Sequence, residues 1–136
     1  MTPRIEAELA LLRSRYPAVQ TSDRPNGVQV TIEGYPLPPG WSRVSTDLAF
    51  IIPVGYPATP PDNFFVRPPL KTAAGGAPGN YQEDGAGLGL PGWGGFSFHL
   101  RDDAGATSWS PAADPTTGDN LLTFLRAVND RLLEAN

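Results

Sequence analysis

Residues 50–65, FIIPVGYPATPPDNFF, set four prolines between two apolar runs. Proline brings no donor to a sheet ladder and holds φ near about −65°. Pro53, Pro57, Pro60 and Pro61 therefore force the chain out of a sheet and along its edge before Phe64-Phe65 can return. The corner belongs to a sheet, and no helix separates the runs.

Strands are predicted on both sides of this corner. Val28–Ile32 alternates apolar and polar residues behind an Asn26-Gly27 turn signal, and Leu48, Phe50 and Ile52 repeat the same period. Asn63–Val66, closed off by Pro68-Pro69, is a third or fourth strand, and Tyr35–Gly40 is a connection or an edge segment. Thr2 and Pro3 can cap and open a helix whose Ile5, Leu9, Leu12 and Tyr16 share one face, with Pro17 as its stop. Near the other end, Asp119 is expected to cap a helix carrying Leu121, Leu125, Val128 and Leu132 on one face, entered sharply through Gly118.

Between these elements, nine of the 15 glycines fall between residues 72 and 95. They predict an ordered but irregular loop, anchored by Tyr81, Leu88, Leu90 and Trp93. They do not follow a strand and open a helix, so they make no phosphate-binding fingerprint. With 136 residues and no internal repeat, the chain reads as one α+β domain, 1–136. An antiparallel meander is flanked in it by an N-terminal and a C-terminal helix.

Charge and residue usage narrow the function. Ten Lys+Arg against 14 Asp+Glu leave a net charge of −4, without the positive field that a phosphate backbone demands, so no nucleic-acid partner is expected. Lys71 is the only lysine, no polybasic anchor exists and no apolar run approaches the roughly 20 residues of a membrane span. The amino terminus is amphipathic rather than signal-like, and a cytoplasmic location is expected. There is no cysteine, which excludes disulfides and thiol chemistry. His99 is the only histidine, so neither a metal site nor a cofactor is expected.

A strand ending in Pro53, then Tyr56-Pro57 and Pro60-Pro61, then Phe64 or Phe65, resembles the signature of the ubiquitin-conjugating enzyme fold. Trp109-Ser110-Pro111-Ala112, ahead of the closing helix, is similar to the Trp-Ser-Pro-Ala segment of the same family. The order of elements agrees over almost the whole chain. The resemblance is to a short, divergent member, most similar to bacterial families associated with ubiquitin-like proteins, activating enzymes and JAB peptidases. Two departures stand out. The family's His-Pro-Asn motif is missing, with Pro78-Gly79-Asn80 at its place, and Ser97-Phe98-His99-Leu100 puts His99 where the family has its nucleophilic cysteine.

The resemblance implies a ubiquitin-like protein and its activating enzyme as partners. It further implies that the proline corner and the Trp-Ser-Pro loop form part of a partner surface, here Ala58, Trp109, Ser110, Pro111 and Ala112. In an extended segment Ser97 and His99 emerge on one face, within reach of a Ser–His hydrogen bond. That arrangement suggests an oxyester carrier on Ser97 assisted by His99, with Ser108 and Ser110 as further hydroxyls. Other readings are a binding module without covalent transfer, and a native cysteine exchanged here at Ser97 or His99. Without the resemblance, the residues define a small α+β domain with proline-rich loops open to polyproline-binding partners. Trp93 and Trp109 read as loop anchors, and Asp102-Asp103 as a solvated turn.

Overall fold

A computed structural model describes residues 1–101 and 104–136; the turn expected at Asp102-Asp103 lies outside the described residues. The first helix, α1 (Pro3–Arg15), starts as its residues dictate: the Thr2 side chain accepts a hydrogen bond from the Ile5 amide at 3.1 Å. Arg13 and Arg15 in the last turn complement the helix dipole, and the chain leaves the helix at Tyr16, ahead of Pro17. Ile5, Leu9 and Leu12 are buried, as the stripe predicts, and so is Glu8.

Among the described residues six antiparallel strands follow, where three or four were expected. They are β1 (Val19–Arg24), β2 (Gly27–Pro36), β3 (Ser45–Pro53), β4 (Phe64–Arg67), β5 (Tyr81–Gln82) and β6 (Gly94–Phe96). In the sheet they lie in the order β1-β2-β3-β4-β6-β5, so the β4–β5 connection departs from a simple meander by passing over the place that β6 fills. β1 escapes sequence reading because Val-Gln-Thr-Ser-Asp-Arg has no apolar alternation; it is held by pairing with β2 from Val19↔Ile32 to Arg24↔Gly27. Gly27 is required at that turn, because its φ is +140° and a Cβ would overlap the Ile52 carbonyl. Tyr35 and Pro36, expected in a connection or edge segment, end β2 beyond an irregularity in the ladder with β3.

The glycine-rich stretch corrects a second expectation, since it is regular at both β5 and β6. β6 pairs with β4 through Phe64↔Phe96, Phe65↔Gly95 and Val66↔Gly94. Its glycines answer a steric demand: a Cβ on Gly94 would overlap the Tyr81 hydroxyl, which accepts from the Leu70 amide at 2.9 Å.

The two faces of the sheet are packed by different means. On one, Val30, Ile32, Leu48, Phe50, Ile52, Phe64, Val66 and Phe96 join residues of α1 and of α2 (Leu121–Leu133) in the main core, so both helices serve a single face. On the other, Ala49, Ile51 and Phe65 pack with Leu90 and Trp93 of the glycine-rich segment, and the Arg67 guanidinium lies 4.2 Å from the Trp93 ring centre. Asn120, not Asp119, caps α2: its side chain accepts from the Thr123 amide at 3.0 Å, and Thr123 Oγ1 accepts from the Asn120 amide at 2.9 Å. The Asp119 carboxylate is turned to the Ser110 amide, 2.7 Å away, closing the loop before the helix.

Candidate functional site

The proline corner is tied to both helices through a buried carboxylate. Tyr56 is 5% exposed and its hydroxyl donates to Glu8 Oε1 at 2.5 Å. Glu8, with no exposure, also accepts from Arg4 Nε at 2.8 Å and from the Leu121 amide at 2.7 Å, at the first turn of α2. Burial, and after it the bond to Glu8, push the Tyr56 hydroxyl well above the ordinary tyrosine pKa, so it remains a donor. Arg4 Nη1 donates in addition to the Ala112 carbonyl. Sequence reading missed this hub, although its signal was present: Glu8 falls on the stripe of Ile5, Leu9 and Leu12, where a charge is out of place.

The corner and the Trp-Ser-Pro loop lie side by side. Trp109 Nε1 donates to the Pro57 carbonyl at 2.8 Å, and its ring centre is 6.0 Å from that of Tyr56. Ala58 and Ser110 are exposed beside this joint, while Trp109, Pro111 and Ala112 are half-buried. Gly118, at φ +65°, backs the loop so closely that a Cβ would come within 2.8 Å of the Ala112 amide nitrogen.

The segment after β6 is held by Asn63, which follows the corner. The Asn63 amide donates to the Phe98 carbonyl at 2.7 Å, and the Phe98 amide returns a bond to Asn63 Oδ1 at 3.0 Å. Phe98 is thereby turned inward against Phe64 and Phe124, with ring centres 5.4 and 6.1 Å apart. Beyond the end of β6, Ser97 and His99 are exposed on either side of the half-buried Phe98. Among the described residues no hydrogen bond joins Ser97 to His99; instead His99 Nδ1 pairs with Asp62 Oδ1 of the corner.

That pairing leaves Nε2 as the ring nitrogen able to take or give a proton. His99 borders two clefts. One, of about 230 Å³, is lined by Asp62, His99, Arg101 and the hydroxyl residues Thr59 and Thr107. The other, of about 400 Å³, runs from His99 and Ser108 to Asp130 and Arg131 of α2. Ser97 lines neither. Asp62 was also missed from the sequence, because only the fold brings it to a residue 37 positions away. Among the described residues no group of three or more His, Asp or Glu side chains could hold a metal ion, and no helix is long and apolar enough to cross a membrane.

Comparison with known proteins agrees with this architecture. No curated protein and no solved structure gives a significant match. The family model described as prokaryotic E2 family E matches residues 6–135. With its helix, antiparallel sheet, proline corner, Trp-Ser-Pro loop and closing helix in that order, the chain belongs to prokaryotic E2 family E, and so to the ubiquitin-conjugating-like proteins.

Proposed function

We propose that this chain acts as one cytoplasmic UBC-like domain, 1–136, in a prokaryotic ubiquitin-like modification pathway, accepting the C-terminus of a ubiquitin-like protein from its activating enzyme. The observation that supports the reading is the exposed Asp62–His99 pair, in the segment that the resemblance matches to the family's nucleophile. The Asp62 carboxylate orients the ring through Nδ1 and stabilises the imidazolium, so that Nε2 serves as the base.

In the transfer step the Ser97 Oγ attacks the acyl carbon of the activated C-terminus while Nε2 takes the hydroxyl proton. A C–O bond forms, the bond to the activating group breaks, and the departing group receives the proton from His99. The product is an oxyester. The exposed Ala58 and Ser110, with Trp109, Pro111 and Ala112, supply the surface against which a partner docks.

The test is incubation with the cognate ubiquitin-like protein, activating enzyme and ATP. The expected product is a reductant-stable, alkali-labile adduct, absent in Ser97→Ala and reduced by about tenfold or more in His99→Ala and Asp62→Asn. An adduct at full yield in all three variants removes these residues from the mechanism.

A second reading, a module that holds the ubiquitin-like protein or activating enzyme without covalent transfer, is favoured by the lack of a described Ser97–His99 hydrogen bond. Tight association that yields no adduct and is unchanged in Ser97→Ala selects it.

A further inference from the structure

Across α2 from His99 lies a second large cleft, of about 490 Å³, within the size range of small-molecule sites. Its walls are the end of α1 (Arg15, Tyr16), the end of β2 (Tyr35, Pro36), the loop at 116–118 and the flank of α2 that carries Arg126 and Asn129. Arg15 and Arg126 are the charged residues of the lining, and no acid accompanies them. In a chain of net charge −4 this sign reversal is local. The cleft beside His99, by contrast, mixes Asp119, Asp130 and Glu134 with Arg101 and Arg131.

Most other arginines are committed. Arg4 is bound to Glu8, Arg67 to Asp47, and Arg43, Arg101 and Arg131 to backbone carbonyls. Arg15 and Arg126 have no hydrogen bond or ion pair among the described residues. Arg15 gains from the α1 dipole, but Arg126 sits in the middle of α2, where that explanation fails.

Neutral donors complete the wall. Tyr16 and Tyr35 stack at 5.7 Å, and the Tyr35 hydroxyl donates to Asn129 Oδ1 at 3.4 Å, which leaves the Asn129 amide nitrogen to donate elsewhere. Two guanidiniums that line one recess with no acid beside them, flanked by the Asn129 amide, are matched by a group with several negatively charged oxygens.

We propose that this cleft binds a small, doubly charged oxyanion, as presented by a phosphate monoester or a dicarboxylate. The experiment is an NMR titration of the full chain at constant ionic strength with inorganic phosphate and, separately, with succinate, chloride being the control. The expected result is saturable shifts of the Arg15, Arg126 and Asn129 side-chain signals. The affinity falls by about tenfold in Arg126→Gln and is unchanged in Arg13→Gln, whose arginine does not line the cleft.

Saturation by phosphate alone assigns the phosphate source, and saturation by succinate alone the carboxylate source. No saturation with either anion, equal shifts with chloride, or an affinity in the Arg15→Gln, Arg126→Gln double variant within about twofold of the parent overturns the proposal. Both arginines are exposed and without described structural bonds, so the variants should keep the parent's amide dispersion.

Discussion

Two carboxylates attach the proline corner to the rest of the molecule, and they do so under opposite conditions. Glu8 is wholly buried and accepts from a guanidinium, a phenol and a backbone amide; Asp62 is exposed and is paired with the half-open His99 ring. Inside the protein a charge survives only when its partners replace water, so Glu8 is committed to holding α1, the corner and α2 together. At the surface the pair contributes little to stability, which leaves Asp62 and His99 free to be used in chemistry. Similar side chains therefore serve structure in one place and are available for function in the other.

The contrast is most severely tested at Glu8. Glu8→Ala strands the Tyr56 hydroxyl, the Leu121 amide and Arg4, and should cost about 3–5 kcal/mol in chemical denaturation. A loss below about 1 kcal/mol would mean that water replaces the carboxylate and that the hub is not structural. Gly118→Ala comes next, because the added Cβ meets the Ala112 backbone at a left-handed φ. It should lose about 2 kcal/mol while leaving Glu8 and its donors intact.

Trp109→Phe keeps the ring against Tyr56 but removes the bond to the Pro57 carbonyl, for an expected loss of about 1 kcal/mol. Asp62→Asn should sit within about 0.5 kcal/mol of the parent while its adduct yield falls, which would separate the two carboxylates experimentally.

A pH series sharpens the comparison further. The folded state keeps Tyr56 protonated above the ordinary tyrosine value of 10.0, whereas the unfolded chain releases that proton near it. The stabilisation is therefore fully present below about pH 10 and is lost as the pH rises further. The unfolding midpoint should drop more steeply above pH 10 in the parent than in Tyr56→Phe.

Much of the helical framework was legible. Ile5, Leu9 and Leu12, then Leu121, Leu125, Val128 and Leu132, are buried as their spacing predicts, because a helix repeats its face within a few residues and needs no distant information. The alternation of Leu48, Phe50 and Ile52 was legible for the same local reason. β1 was not, since its polar residues are held by a neighbouring strand. β6 was hidden because Gly94 is set by the Tyr81 ring crossing it and Gly95 by Gly85 and Leu88, contacts invisible in one dimension. The cap of α2 was misplaced by one residue, because both Asp119 and Asn120 suit the role and only the three-dimensional loop assigns the former to Ser110.

The candidate site divides along the same line. Residue type alone pointed to the proline corner, and the resemblance of short local motifs to a family pointed to the Trp109 loop and to the segment of Ser97 and His99. Which groups meet was decided by tertiary packing alone. The partners of His99, Trp109 and Glu8 lie 37, 52 and up to 113 residues away, separations that local periodicity cannot encode. Helix and strand periods are properties of neighbouring residues, whereas a hydrogen bond between distant segments exists only once the core has brought them together.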